Sequence, residues 1–159
     1  MTRPALPLLV GEANPYGADP CYALHPLPPS ASGGRLAQIL GLTADEYLAA
    51  YRRRNLCPRV WDVRRAAEEA DGLLYDAGSL VLLGMKVSDA FRRVLRGVRL
   101  AGRVELAPFN HYVVKVSPTR LLHIAVLPHP SGLSRAWNAP GAWKRARRAA
   151  AAVGGAVGL

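Results

Sequence analysis

Apolar residues along this chain fall into short continuous runs that alternate with stretches of helical spacing. The first run, residues 6–11, predicts a strand, and "SLVLLG", residues 79–84, carries the clearest signal for a strand buried on both faces. Between them, Gly33 and Gly34 precede a helical stretch from about Arg35 to Leu40. "TADEYLAAYRR" follows, with Thr43 as N-cap and Glu46 placed to complete a capping box. "RRNLCP" predicts a short extended segment stopped by Pro58, and "VWDVRRAAEEADGLL" carries helical spacing through Val60, Val63, Ala67 and Ala70. Gly84 ends the buried strand before a helix over "KVSDAFRRVL". From Arg103 to Leu127 the pattern turns to β-rich runs, "RVELA", "HYVVKVS" and "RLLHIAVL", with a hairpin leading into the final core strand. "APGAWKRARRAAAAV" predicts a basic helix with Pro140 in its first turn, and "GGAVGL" is expected to fray. Strands alternating with helices imply an α/β fold with a mostly parallel sheet covered on both faces.

Length and composition narrow this picture. A chain of 159 residues, half of them hydrophobic, suits one domain with one core, so residues 1–159 are expected to form a single unit. The 21 Lys and Arg against 11 Asp and Glu give a formal charge of +10, a field that attracts polyanions; a solvated, arginine-rich surface accounts for the same number. Cys21 and Cys57 are the only cysteines, which excludes four-thiolate zinc or iron–sulfur ligation within the chain. The apolar run from Ala5 to Val10 is too short for a signal-peptide core, and no stretch approaches a membrane span. A cytoplasmic protein with reduced thiols is expected.

Candidate chemistry sits in two loops at opposite ends of the sequence. "LLVGEANPYGADP" and "LPHPSGLSRAWN" each begin where an apolar run stops and break into Gly, Pro, Asn, His and Ser. At the carboxyl ends of neighbouring parallel strands the two would frame one crevice, the usual ligand position in an open α/β sheet. Taken alone, His129 could lock its own turn, Asn55 could be a capping residue, and Asn14-Pro15 could merely start a turn.

"GEANPYG" resembles the first motif of the uracil-DNA glycosylase superfamily and "HPSGLS" resembles its last. Between them "RRNLCP" is similar to the segment that presents a base-reading Asn, and "VLLGMKVSDAF" to the following strand and helix. The similarity runs in order from about Leu8 to Asn138. It implies a three-layer α/β/α sandwich with a central, mostly parallel four-stranded sheet, in agreement with the periodicity. It also implies a monofunctional DNA glycosylase that removes uracil or a related altered pyrimidine and leaves an abasic site. DNA is then the partner, with no membrane association, no metal and no cofactor, and the chain is expected to act as a monomer.

By this resemblance His129 stabilises the charge on the departing base and Asn14 orients the attacking water. Glu12 takes that second role if the motif is read in the "GEAPG" register of some relatives. Asn55 offers a donor and an acceptor to the imide edge of uracil, and Tyr16, after Pro15, stands against the pyrimidine C5 position. Ser131 and Gly132 hold a flanking phosphate, and Leu133 fills the gap left by the extruded nucleotide. The basic runs Arg52 to Arg54 and Lys144 to Arg148 reach more distant phosphates. The family's stacking aromatic has no aligned counterpart in "CYALHPLPPSASGG", which offers Tyr22, His25 and Leu27. Two alternatives stay open: a glycosylase for another deaminated or C5-modified base, and a catalytically idle DNA-binding module on the same fold. Ser131 as a nucleophile is discounted, because no GxSxG elbow surrounds it.

Overall fold

In the computed structural model, which describes residues 5–14 and 19–158, the apolar runs assemble into one sheet. Its strands are β1 (Leu8–Ala13), β2 (Arg52–Cys57), β3 (Ser79–Leu83), β4 (His111–Ser117) and β5 (Arg120–Leu127), in the order β2-β1-β3-β5-β4. The first three and β5 are parallel, and β4 returns antiparallel to β5. The expected four strands are therefore five. The one beyond the count implied by the resemblance is β4, the first arm of the hairpin that "HYVVKVS" predicts, whose alternation of exposed and buried residues suits an edge strand. Residues 80–83 of β3 and 124–127 of β5 read as unbroken apolar runs because helices cover both sides of them. Leu80, Leu82, Ile124 and Val126 enter one core layer, while Val81, Leu83, Ala125 and Leu127 enter the other.

Helices α3 (Val63–Asp76) and α4 (Met85–Leu95) fill the first layer with Ala66, Ala70, Leu74, Val87 and Phe91. Helices α1 (Ser32–Leu40), α2 (Ala44–Ala50) and α5 (Ala142–Ala152) fill the second with Leu36, Ile39, Leu40, Tyr47, Ala146 and Ala150. The chain is thus an α/β protein with helices on both faces of a mostly parallel sheet. The capping box at α2 forms as the sequence predicts: the Glu46 N–H donates to Thr43 Oγ1, and the Thr43 N–H donates to Glu46 Oε1.

Several boundaries move for identifiable reasons. "RVELA" is not a strand. Leu106 takes φ +52°, outside the β region, and the segment bonds to side chains: Arg92 Nε donates to the Glu105 carbonyl at 2.8 Å, and the Ala107 N–H donates to the Tyr112 hydroxyl oxygen at 2.8 Å. α3 starts at Val63, not Val60, because Asp62 caps it by accepting from the Arg65 N–H. Pro140 precedes the N-cap Gly141 rather than sitting inside α5. The tail read as prone to fray carries hydrogen bonds: the Gly158 N–H donates to the Leu40 carbonyl, and the Tyr51 hydroxyl donates to the Ala156 carbonyl.

Gly33 and Gly34 lie inside α1, and this has consequences for the site. A Cβ on Gly33 would collide with the carbonyl oxygens of Leu24 and His25, and one on Gly34 would stand 2.6 Å from Pro29. The helix therefore lies directly on the segment that follows β1. Gly72, by contrast, sits in α3 with nothing within 4 Å of a built Cβ. Gly33→Ala is expected to lower stability by about 1–3 kcal/mol through overpacking. Gly72→Ala is expected to raise it by about 0.5–1 kcal/mol through helix propensity. Urea denaturation of both variants checks the pair, and the same sign for both would contradict the packing described.

Candidate functional site

Because β1, β2, β3 and β5 run parallel, the segments that follow them emerge at one end of the sheet. There they enclose a crevice of about 800 Å³ lined by Glu12, Asn14, Asn55, His129, Ser131 and Gly132 among others. Residues from opposite ends of the sequence thus share one cavity. Pro15 and Tyr16 lie outside the described residues, and Leu133 is not in the lining but stands in solvent at the tip of the following turn, 92% exposed.

Two glycines make the convergence possible. Gly11 is registered against Asn55 across β1 and β2, and a Cβ there would clash with Asn55 Oδ1. The missing side chain is the space the amide occupies. Gly84, at φ +95°, ends β3 between the other two groups: a built Cβ would lie 3.3 Å from Glu12 Oε1 and 3.2 Å from His129 Cβ. The carboxylate and the imidazole therefore approach the same point over a residue that presents only backbone. β1 also runs further than the hydrophobic pattern predicts, so Glu12 belongs to the strand and Asn14 follows its end, largely buried.

The turn after β5 fixes His129. Ser131 N–H donates to Nδ1 at 3.1 Å, so the ring's acceptor nitrogen is committed and the neutral imidazole carries its proton on Nε2. The backbone on both sides is held as well. Trp137 Nε1 donates to the His129 carbonyl at 2.8 Å, with its ring edge-on to Phe109, and Arg35 Nε from α1 donates to the Pro130 carbonyl at 3.0 Å. The site therefore offers one oriented N–H donor, two carboxamides and one carboxylate around a half-enclosed space. That set can hold a planar polar ring and stabilise negative charge appearing on it.

Sequence reasoning missed three contributors. Leu24 lines the crevice at φ +51°, and its two methyls lie 3.3 Å from the point where a Gly11 Cβ would stand, beside the Asn55 amide. Tyr47, fully buried, donates its hydroxyl to the Leu24 carbonyl at 2.8 Å, and burial pushes its pKa upward, so it remains a donor. Arg35 ties the last loop to α1. Only the spacing of Arg35 after Gly33-Gly34 was visible, and nothing local marks a strained leucine. The basic run of β2 is largely spent on the fold: Arg52 donates to the Leu6 carbonyl, Arg53 to the Cys21 and Ala23 carbonyls, and Arg54 pairs with Glu69.

The chain matches no known protein-family model, and no curated protein matches it in sequence. Among the described residues no group of three or more His, Cys, Asp or Glu is placed to hold a metal ion, and no helix is long and apolar enough to cross a membrane. Tyr47→Phe removes the partner of a carbonyl held in a strained turn. It is expected to cost about 0.5–1.5 kcal/mol, the range for one intramolecular hydrogen bond, as a reduced urea midpoint at unchanged slope.

Proposed function

We propose that this chain is a monofunctional DNA glycosylase, hydrolysing the bond between deoxyribose and an everted uracil or related altered pyrimidine. The observation that carries the reading is the meeting of Asn14, Asn55 and His129 in one crevice, with His129 Nδ1 already occupied by the Ser131 N–H. The resemblance of "GEANPYG" and "HPSGLS" to motifs of the uracil-DNA glycosylase superfamily supports it independently of the geometry.

In this reaction the C1′–N1 bond breaks and water adds to C1′. The base leaves as an anion that later takes a proton, and the sugar keeps the hydroxyl. His129 Nε2–H donates to the carbonyl oxygen on which the charge collects, where a preoriented donor is worth most. Asn55 reads the imide edge through its amide, which Gly11 admits. Asn14 accepts a hydrogen bond from the water and positions it without deprotonating it. Glu12, across Gly84 from His129, is the alternative partner for that water. Leu133, exposed at its turn, fills the stack, and Ser131 and Gly132 face a flanking phosphate. The role of Tyr16 at C5 belongs to the same reading; Leu24 stands beside the Asn55 amide, and Tyr22 and His25, which line the same crevice, are the rings available to stack.

Incubation with oligonucleotides carrying single altered bases, followed by hot alkali, is expected to yield strand breaks at uracil or at one of its close relatives. His129→Ala should lower the single-turnover rate by about 10²–10³. Asn14→Asp should raise it if residue 14 holds the water, whereas Glu12→Gln should abolish it if residue 12 does. Binding with no alkali-labile site on any base of the panel would instead identify an idle DNA-binding module.

A further inference from the structure

The chain between β2 and α3 forms a projection that leaves the same end of the sheet as the crevice and that the proposed chemistry does not use. Both ends of it are held: Cys57 Sγ interacts with the Asp62 N–H and carbonyl at 3.4 and 3.5 Å, and the Asp62 carboxylate caps α3. Residues 58–61 are therefore presented on a fixed base. At its tip Val60 is 79% exposed. Three residues on, Val63 is 57% exposed, and Met85, the first residue of α4, is 77% exposed. Trp61 joins the two tips, half-buried against the core layer of α3 and α4, with Lys86 Nζ 6.0 Å from its ring centre. Arg59 and Lys86 are both exposed at this edge, while the one acid of the projection, Asp62, is engaged at the helix cap.

Large apolar side chains in water next to a cation-faced indole and unopposed positive charge are the chemistry that takes unpaired bases and their phosphates. The projection stands at the carboxyl end of the sheet, where Gly84 lies against Glu12 and His129 of the crevice and Met85 immediately follows it. We infer that Val60, Trp61 and Met85, with Arg59 and Lys86, form a second nucleic-acid contact that packs an unpaired base of a single strand leaving the crevice. The inference rests on the nucleic-acid part of the proposed reading and not on its chemistry.

The test uses fluorescein-labelled oligothymidine with no altered base. Wild-type protein should bind it with quenching of tryptophan emission, and the quenching should disappear in Trp61→Phe. The exposed double substitution Val60→Ser with Met85→Gln should weaken binding roughly tenfold with the salt dependence unchanged, because it removes apolar contact and no charge. Lys86→Ala should instead flatten the slope of log K against log salt by about 0.7, one counterion on a single strand. Melting temperatures within experimental error of wild type, and recovery of binding in Val60→Leu with Met85→Leu, exclude a folding defect. Unchanged affinity in the Ser/Gln variant overturns the inference. So does a variant that loses only self-association in sedimentation, which would assign the tip to a second copy of the chain. Protein that makes abasic sites without quenching on oligothymidine sinks this inference alone, and quenching without abasic sites on any altered base sinks only the glycosylase reading.

Discussion

The side-chain amide of Asn55 can lie over β1 only because residue 11 has no Cβ, and the remainder of the crevice is built by the same kind of close approach. Gly84 lets the Glu12 carboxylate and the His129 ring come onto one point at the end of β3, and Gly33 and Gly34 let α1 rest on the backbone of residues 24–29. Each glycine costs conformational entropy on folding, and a helix carrying two near its start gains nothing locally from them. They are stable there because the core beneath is dense: Leu36, Ile39 and Leu40 of α1 are wholly buried against the sheet. Packing energy far from the crevice therefore holds open the space inside it.

Charge is used in a way that composition conceals. A balance of +10 suggests attraction of a polyanion, yet many of the guanidinium groups are tied to backbone carbonyls. Arg35 reaches Pro130, Arg52 reaches Leu6, Arg92 reaches Glu105, Arg120 reaches Ala77 and Arg147 reaches Ile39. Each of these bonds spans distant parts of the chain and satisfies an acceptor that no ladder or helix serves. The charge stays on the molecule and still shapes its field. The positions of these arginines, however, are set by loops that need fastening, and Arg35, which fastens the last loop to α1, places its cation beside the crevice as a by-product.

What could be read in the sequence divides along physical lines. β3, β5, α4 and the capping box of α2 were legible because each depends on neighbours within a few residues or on burial from both sides. The meeting of Asn14 and His129 was anticipated from loops that follow strands, a rule of topology rather than of side chains, whereas Asn55, inside β2, was placed with them by the family resemblance alone. "RVELA" misled because its alternation is real but its backbone turns at Leu106, which φ alone reveals. The helical spacing through Val60 misled because the cap lies at Asp62, so an apolar residue that looked like core stands in water. Leu24 was invisible for a further reason. Its conformation is imposed by Tyr47 and Gly33, both distant in sequence, and a leucine carries no mark of the strain it will bear.

The turn after β5 shows how little a site of this kind needs once its scaffold is rigid. The Ser131 N–H fixes which imidazole nitrogen carries the proton, Trp137 fixes the carbonyl of the same residue, and Arg35 fixes the next. Pro128 and Pro130, both buried, flank the histidine and restrict its backbone further. A donor oriented this way is aligned before charge develops, so little reorganisation is required as it does. In the reaction proposed above, an amide at residue 14 then suffices to position a water molecule. Catalysis that draws mainly on a prearranged donor tolerates a weak partner for the nucleophile, and it is most sensitive to contacts that orient the imidazole rather than to the identity of the group beside the water.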